Sequence, residues 1–268
     1  MNDSLTLTLL GCGKMGAALL RGWLAAVPNL RVNVVEPNPL PAELSGHSNI
    51  THYTAPDNKL SGSDIFVLAV KPQVMKQVCE SVRDFVAPGA LILSIAAGQN
   101  LAAFAGYFGE NQPAIRAMPN TPAAIGKGIS VLVANAHASA AQKAQAESLL
   151  SAAGLARWVE DEALMNAVTA LSGSGPAYIF LLIETLAKAG EKAGLTPDLA
   201  MTLARQTVIG ASALAEAESE TPASTLRENV TSPGGTTAAA LDVLMNGELQ
   251  ELFNKALLAA KARGEALG

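Results

Sequence analysis

A doubly wound, mostly parallel α/β sheet followed by an all-helical domain is the fold class this sequence predicts. Three observations lead there. Short apolar runs alternate with helical patterns through residues 1–160, and a glycine-rich turn follows the first of those runs. After about residue 160 the strand patterns stop while helical ones continue. The domain boundary is therefore expected at 160/161, dividing the chain into 1–160 and 161–268.

The elements follow in order. Strands are expected at 5–10, 31–36, 65–70, 90–94, 114–117, 129–133 and 156–159. Helices fill the spaces at 14–26, 72–85, 101–107 and 140–153. Beyond residue 160 the helical patterns cover 161–171, 177–193, 197–218, 236–245 and 248–267. Thr196 reads as an N-cap with Pro197 at the first helical position, and Ser232 with Pro233 reads the same way. These late helices are nearly all Ala, Leu, Val and Ile, with few polar positions to mark a solvated face. A helix apolar around its circumference must be buried. About a hundred residues cannot bury all of them alone, so the second half is expected to form a homodimer interface.

Composition narrows the function classes. Half of the 268 residues are hydrophobic, only 4% are aromatic, and the formal net charge is −5. No lysine- or arginine-rich run gives a phosphate-backbone footprint, which argues against nucleic acid as a partner. Cys12 and Cys79 form neither a metal-type pair nor a disulfide framework, so no metal is expected and a reducing compartment fits. The apolar start 5–27 mimics a secretory signal, but Met1-Asn2-Asp3-Ser4 carries no cation and Gly11 and Gly13 break the run. No stretch reaches the ~18–20 uncharged apolar residues of a membrane span, since Glu184 and Lys188 interrupt 178–189. A soluble, cytoplasmic protein with no membrane partner is expected.

The first site candidate is Gly11-Cys12-Gly13-Lys14-Met15-Gly16. GxGxxG alone is weak, but here a strand precedes it, a helix follows, and Glu36 stands 20 residues past Gly16 at the end of the next strand. Gly11 permits the tight turn, Gly13 lets backbone approach a pyrophosphate, and Gly16 lets the helix pack on the strand. The helix N-terminus then offers free N–H groups to phosphates. This is the fingerprint of a Rossmann-type dinucleotide site, with NADP(H) or NAD(H) as the cofactor. Glu36 would accept ribose hydroxyls and repel a 2′-phosphate, which favours NADH, although Asn38 could bond a phosphate if the carboxylate swung away. Ala69, Val70, Lys71 and Pro72 end a strand at the same sheet edge, where small side chains could line the nicotinamide riboside.

The second candidate is Ser232-Pro233-Gly234-Gly235-Thr236-Thr237. Its glycines let backbone N–H groups converge and its hydroxyls add donors, a nest suited to a carboxylate. Leu171-Ser172-Gly173-Ser174-Gly175-Pro176-Ala177-Tyr178 is a break between helical segments that either lets backbone pass close to a ligand or is a plain interhelical turn, and Ala117-Met118-Pro119-Asn120-Thr121-Pro122 is a pocket-wall candidate. His47, His52 and His137 all lie in the first domain, so the helical domain has no histidine to handle an alcohol proton. A protonated imine brings its own proton. It would need mainly orientation, with a hydroxyl such as that of Thr237 bonding the ring nitrogen.

In this order and spacing, GCGKMG, LAVKP, RAMPNTP, LSGSGPAY and ENVTSPGGTT make nearly the whole chain similar to the pyrroline-5-carboxylate reductases. The resemblance implies a Rossmann domain, a helical domain interlocking with a second subunit, and reduction of L-1-pyrroline-5-carboxylate to L-proline. It places the substrate carboxylate at Ser232, Thr236 and Thr237, within the loop that includes Gly234 and Gly235, and Thr237 also near the ring nitrogen. It places Glu220 near the substrate through water, and Asn229 and Val230 on the nicotinamide side. Glu36-Pro37-Asn38 departs from the Asn-Arg or Ser-type loops of many members, leaving NADH and NADPH both open; a homodimer is implied, and a higher ring of dimers is left open. The rival enzyme reading is a β-hydroxyacid dehydrogenase. That family's lysine should follow the turn at 172–176, where none occurs before Lys188. A nucleotide sensor without catalysis is the third reading, and it leaves the late loop unexplained.

Overall fold

The structure, a computed structural model, describes residues 5–27 and 29–267. The tetrapeptide Met1-Asn2-Asp3-Ser4, read above as lacking a cation, lies outside them. The chain divides into two compact units, Met1–Ser174 with Ala260–Gly268, and Gly175–Ala259.

The first unit is built on an eight-stranded sheet ordered β3-β2-β1-β4-β5-β6-β7-β8. Its strands are β1 (Thr6–Leu10), β2 (Arg31–Val35), β3 (Ile50–Tyr53), β4 (Ile65–Leu68), β5 (Leu91–Ser94), β6 (Ala114–Met118), β7 (Gly128–Ala134) and β8 (Gly154–Trp158). Every neighbouring pair is parallel except β6 with β7. Helices α1 (Lys14–Ala26), α2 (Met75–Val82), α3 (Leu101–Phe108) and α4 (Ala140–Ser151) connect the strands. Parallel strands need such crossovers, and helices on both faces leave the central strands buried. One core lies under α1 and α4, with Leu9, Trp23, Val67 and Leu149; another lies under α2 and α3, with Phe66, Met75, Cys79 and Phe104. Trp23 is fully buried and its Nε1–H donates to Leu149 O at 2.9 Å, which satisfies the one polar atom of the ring.

Chain order reverses between β1 and β4, so a crevice opens beyond the carboxyl ends of these strands. The glycine-rich turn leaves β1 there, and Ala69 leaves β4 there. Backbone bonds hold the two ends in place: Gly11 N–H donates to Val35 O at 2.9 Å, and Ala69 N–H donates to Leu10 O at 2.9 Å.

Strand β3 was not among the expected elements. It is an edge strand of four residues, Ile-Thr-His-Tyr, with two of them exposed, so no apolar run marks it. The break expected at 171–178 is not a break. Helix α5 (Met165–Val168) passes into a π-helical turn, Thr169–Gly173, and that turn leads into α6 (Gly175–Lys192). Ser174 N–H donates to Thr169 O at 2.9 Å, the i to i+5 bond of a π turn. The helical span Glu162–Lys192 contains an 18-residue stretch with a mean hydropathy of 1.3 and is, by length and composition alone, long and apolar enough to cross a membrane, which corrects the expectation that no stretch is.

The second unit consists of helices. They are α6, α7 (Pro197–Ala217), α8 (Ala223–Asn229), α9 (Thr236–Leu244) and the greater part of α10 (Glu248–Glu265). α6 and α7 form a hairpin in which a Cβ on Gly190 would meet that of Ala200 at 3.2 Å. Only Ala187, Ala200 and Ala204 are buried in this pair, and α8, α9 and α10 bury nothing. Phe180 is 61% exposed, Leu252 64% and Val243 70%. A helical unit with no large side chain in its interior has its apolar surface directed outward. The end of α10 belongs to the first unit, where a Cβ on Gly264 would meet Asn166 Oδ1 at 3.1 Å.

Candidate functional site

In the first unit the three glycines of the early turn differ in what surrounds them, and each difference has a use. Gly11 has φ +89°, in the region that disfavours side chains, and a Cβ there would meet Val70 Cγ1 at 2.8 Å. A Cβ on Gly16 would meet Gly11 O at 2.5 Å, so only glycine lets α1 pack this closely on the turn. A Cβ on Gly13 would meet nothing within 4 Å. Gly13 is the N-cap of α1 and supplies no side-chain cap, leaving the first N–H groups of the helix open to an anion.

A cavity of about 600 Å³ opens beside this turn. Of the residues expected to bind a dinucleotide, it brings together Gly11, Gly13, Glu36, Asn38, Ala69, Val70 and Lys71. Gly16 lies behind the turn, buried in packing. Lys14 is exposed, and Met15 packs against the sheet core, so their side chains lie outside the lining. Pro72 opens a short 3₁₀ turn, Pro72–Val74, with Lys71 as its N-cap. The lining also includes residues the sequence reading missed: Thr54, Ala55 and Pro56 after β3, and Val74, Gln77, Val78 and Ser81. The spacing of the last four, one face of a helix, was the available signal.

Glu36 is more constrained than its place at the end of β2 suggests. Its Oε2 accepts from Cys12 N–H at 2.9 Å. Its Oε1 accepts from Asn38 N–H at 3.1 Å and from Asn38 Nδ2 at 2.8 Å. Partial burial works against the charge, but the bonds from Cys12 and Asn38 outweigh it and hold the carboxyl below its ordinary value of 4.5. The carboxylate is therefore tethered rather than free to swing, and one of the two N–H groups of the Asn38 amide is engaged by Glu36. Burial, with the Glu36 charge adding to it, pushes the Cys12 thiol up to about 11, so it stays protonated and unreactive near neutrality.

Two other motifs meet elsewhere in this unit. Asn120 Nδ2 lies 3.4 Å from both the carbonyl and the hydroxyl of Ser172, while its Oδ1 accepts from Ile129 N–H at 3.0 Å. A Cβ on Gly173 would meet Met118 Cε. The π turn is thus seated on the end of β6. Arg116 of β6 is buried and donates to Glu162 Oε1 at 3.1 Å, and the same oxygen accepts from Leu101 N–H at 2.9 Å. None of these residues lines the cavity.

The late loop lies in the second unit and differs from its expected form. Ser232 is not a helix cap. Ser232-Pro233-Gly234-Gly235 is a tight turn closed by Gly235 N–H donating to Ser232 O at 3.0 Å, with Gly234 at φ +69°. Proline at the second position and a left-handed glycine at the third are what a type II turn requires, and no helix contains that glycine conformation. Helix α9 begins only at Thr236, with Gly235 as its N-cap and no side-chain cap. Gly235 N–H is therefore consumed by the turn. Helix geometry leaves the amides of Thr236, Thr237 and Ala238 without intrahelical acceptors. Asn229 ends α8, and Glu220 sits in the connection between α7 and α8; both are exposed. Thr231 is held back by its own hydroxyl, which donates to Arg227 O at 2.6 Å.

The chain is similar to known proteins over nearly its whole length. A family model described as pyrroline-5-carboxylate reductase dimerisation matches residues 162–267. A second, NADP oxidoreductase coenzyme F420-dependent, matches 6–98. A pyrroline-5-carboxylate reductase of Pseudomonas aeruginosa is 42% identical over 97% of this chain and 96% of its own. A solved pyrroline-5-carboxylate reductase of Coxiella burnetii is 37% identical, with a TM-score of 0.91 over 99% of both chains. A Plasmodium falciparum pyrroline carboxylate reductase solved with NADP bound is 28% identical, with a TM-score of 0.82 over 99% of both chains.

Proposed function

This chain belongs to the pyrroline-5-carboxylate reductase family, and we propose how its residues share the work of that reaction. The enzyme is an NAD(P)H-dependent oxidoreductase that reduces pyrroline-5-carboxylate to proline, and it forms a homo-oligomer. The family assignment excludes the β-hydroxyacid dehydrogenase and sensor readings.

The turn of Gly11, Gly13 and Gly16 would hold the coenzyme's pyrophosphate against the start of α1. Glu36 would take the adenosine ribose, and Ala69, Val70 and Lys71 would line the path toward the nicotinamide. Bound there, the dihydronicotinamide supplies the hydride. A tethered Glu36, held ionised, disfavours a 2′-phosphate, and we read the preferred coenzyme as NADH.

The single observation supporting the substrate assignment is the uncapped start of α9. The free amides of Thr236, Thr237 and Ala238 suit a carboxylate, favoured further by the positive end of the helix. Ser232 and Thr236 would add hydroxyl donors, while Gly234 and Gly235 shape the turn that leaves this end open. Thr237 would orient the imine through the ring nitrogen, and Glu220 would act through water. Asn229 would border the nicotinamide side. Because the iminium already carries its proton, these residues orient and exclude water rather than exchange protons. Thr237→Val tests the assignment: turnover is expected to fall at least about 100-fold while dinucleotide binding persists. Unchanged turnover in that variant removes Thr237 from the mechanism.

We further propose that residues 1–160 serve the coenzyme and 161–268 the substrate and the second subunit, with a homodimer as the smallest assembly and rings built from such dimers. The outward apolar surface of α6 supports the dimer. The site of action is read as the cytoplasm, with neither nucleic acid nor membrane as a partner.

A further inference from the structure

Glu36 occupies the position that reads the adenosine ribose, yet both of its oxygens are already engaged within the chain. Oε2 holds the Cys12 amide inside the glycine turn at 2.9 Å. Oε1 takes two donors from Asn38, at 3.1 and 2.8 Å. Its backbone is fixed as well: Glu36 N–H donates to Tyr53 O at 2.9 Å, and Glu36 O lies 2.7 Å from His52 Nε2. A carboxylate accommodates about four donors. Three internal ones leave room for a ribose hydroxyl but little freedom to rotate toward it.

We propose that Asn38 is a positioning residue for the coenzyme: it pins Glu36 so that one carboxylate both braces the phosphate-binding turn through Cys12 N–H and meets the ribose. This rests on the dinucleotide reading of the cavity. Its consequence is that ribose recognition and pyrophosphate grip are coupled. Replacing Glu36 does more than lift the repulsion of a 2′-phosphate. It also releases the Cys12 amide, and the turn that carries Gly13 loses its brace. Asn38 reaches that turn only through Glu36, so its contribution vanishes when Glu36 is gone.

Calorimetric titration of the full-length protein with AMP and with ADP-ribose separates these roles, since only ADP-ribose carries both phosphates. Asn38→Ala is expected to weaken ADP-ribose about three- to tenfold, the effect of one lost hydrogen bond of ordinary strength, and AMP by less. In a Glu36→Ser background the same Asn38 change is expected to have no further effect. Asn38→Ser serves as a second variant that keeps a small polar side chain, and thermal unfolding verifies that each protein is folded. Equal losses for AMP and ADP-ribose would overturn the proposal, because Glu36 would then act on the ribose alone. An Asn38 effect that survives intact in the Glu36→Ser background would also overturn it, because Asn38 would then touch the ligand directly. Wild-type turnover of pyrroline-5-carboxylate, measured separately, reports on the functional reading and leaves this binding pattern untouched.

Discussion

Gly13 and Gly16 are three residues apart in one turn, and alanine at each should fail in opposite ways. At Gly13 a Cβ meets nothing within 4 Å, so the free protein can accept it. Alanine is a poorer N-cap than glycine, at a cost of about 0.5–1 kcal/mol. Its stiffer unfolded chain returns about 0.4–1 kcal/mol. The two nearly cancel, and the melting temperature should stay within about 2 °C of wild type. The same methyl occupies the space through which a pyrophosphate reaches the backbone, and it should weaken NADH binding about 10- to 100-fold. At Gly16 the Cβ falls 2.5 Å from Gly11 O, a backbone atom that moves only with the turn. Relieving that overlap costs about 2–3 kcal/mol, lowering the melting temperature by about 4–10 °C. Thermal unfolding with and without NADH, together with fluorescence titration, reads both. A Gly13→Ala protein that melts early, or binds NADH as wild type does, would refute the reasoning.

Other consequences follow from the helical unit and from Glu36. Phe180→Glu on α6 should shift the oligomer toward monomer in sedimentation at micromolar concentration, since burying a phenylalanine contributes about 1.5–3 kcal/mol at each copy; an unchanged mass would place Phe180 outside the interface. Glu36 is held below 4.5, so its stabilisation of the turn is present above that pH and is lost as pH falls through its lowered folded value. The stability gap between wild type and Glu36→Gln should therefore be full at pH 6–7 and close in more acidic solution; a gap that widens there would contradict the sign. Initial rates should favour NADH over NADPH, and a reversed preference would mean that Glu36 does not face the ribose.

Much of this was legible because period and punctuation agreed. The strand, glycine turn and helix from Thr6 to Ala26 lie where an apolar run, GxGxxG and an amphipathic pattern place them. The apolar circumference of α6 and α7 marked more apolar surface than this half could cover alone, and only Ala187, Ala200 and Ala204 of these two helices are buried. Other features depend on neighbours that a local pattern does not register. β3 is extended because β2 pairs with it along one edge, not because its own residues are apolar. The Gly/Ser run at 171–178 reads as a break, but Gly173 closes a π turn whose small residue lies against the Met118 side chain. Ser232 has the residue type and position of a cap, yet Pro233 and Gly234 form a turn that delays the helix to Thr236. The tether from Asn38 through Glu36 to Cys12 joins residues 24 positions apart at its farthest step, and no spacing rule announces it.

The most direct measurement mixes the purified protein with NADH and pyrroline-5-carboxylate, following absorbance at 340 nm while the product is quantified. Reduction of the cyclic imine predicts one proline formed per NADH consumed. NADH that stays unoxidised beside an active control enzyme, with NADPH equally inert, would contradict the account.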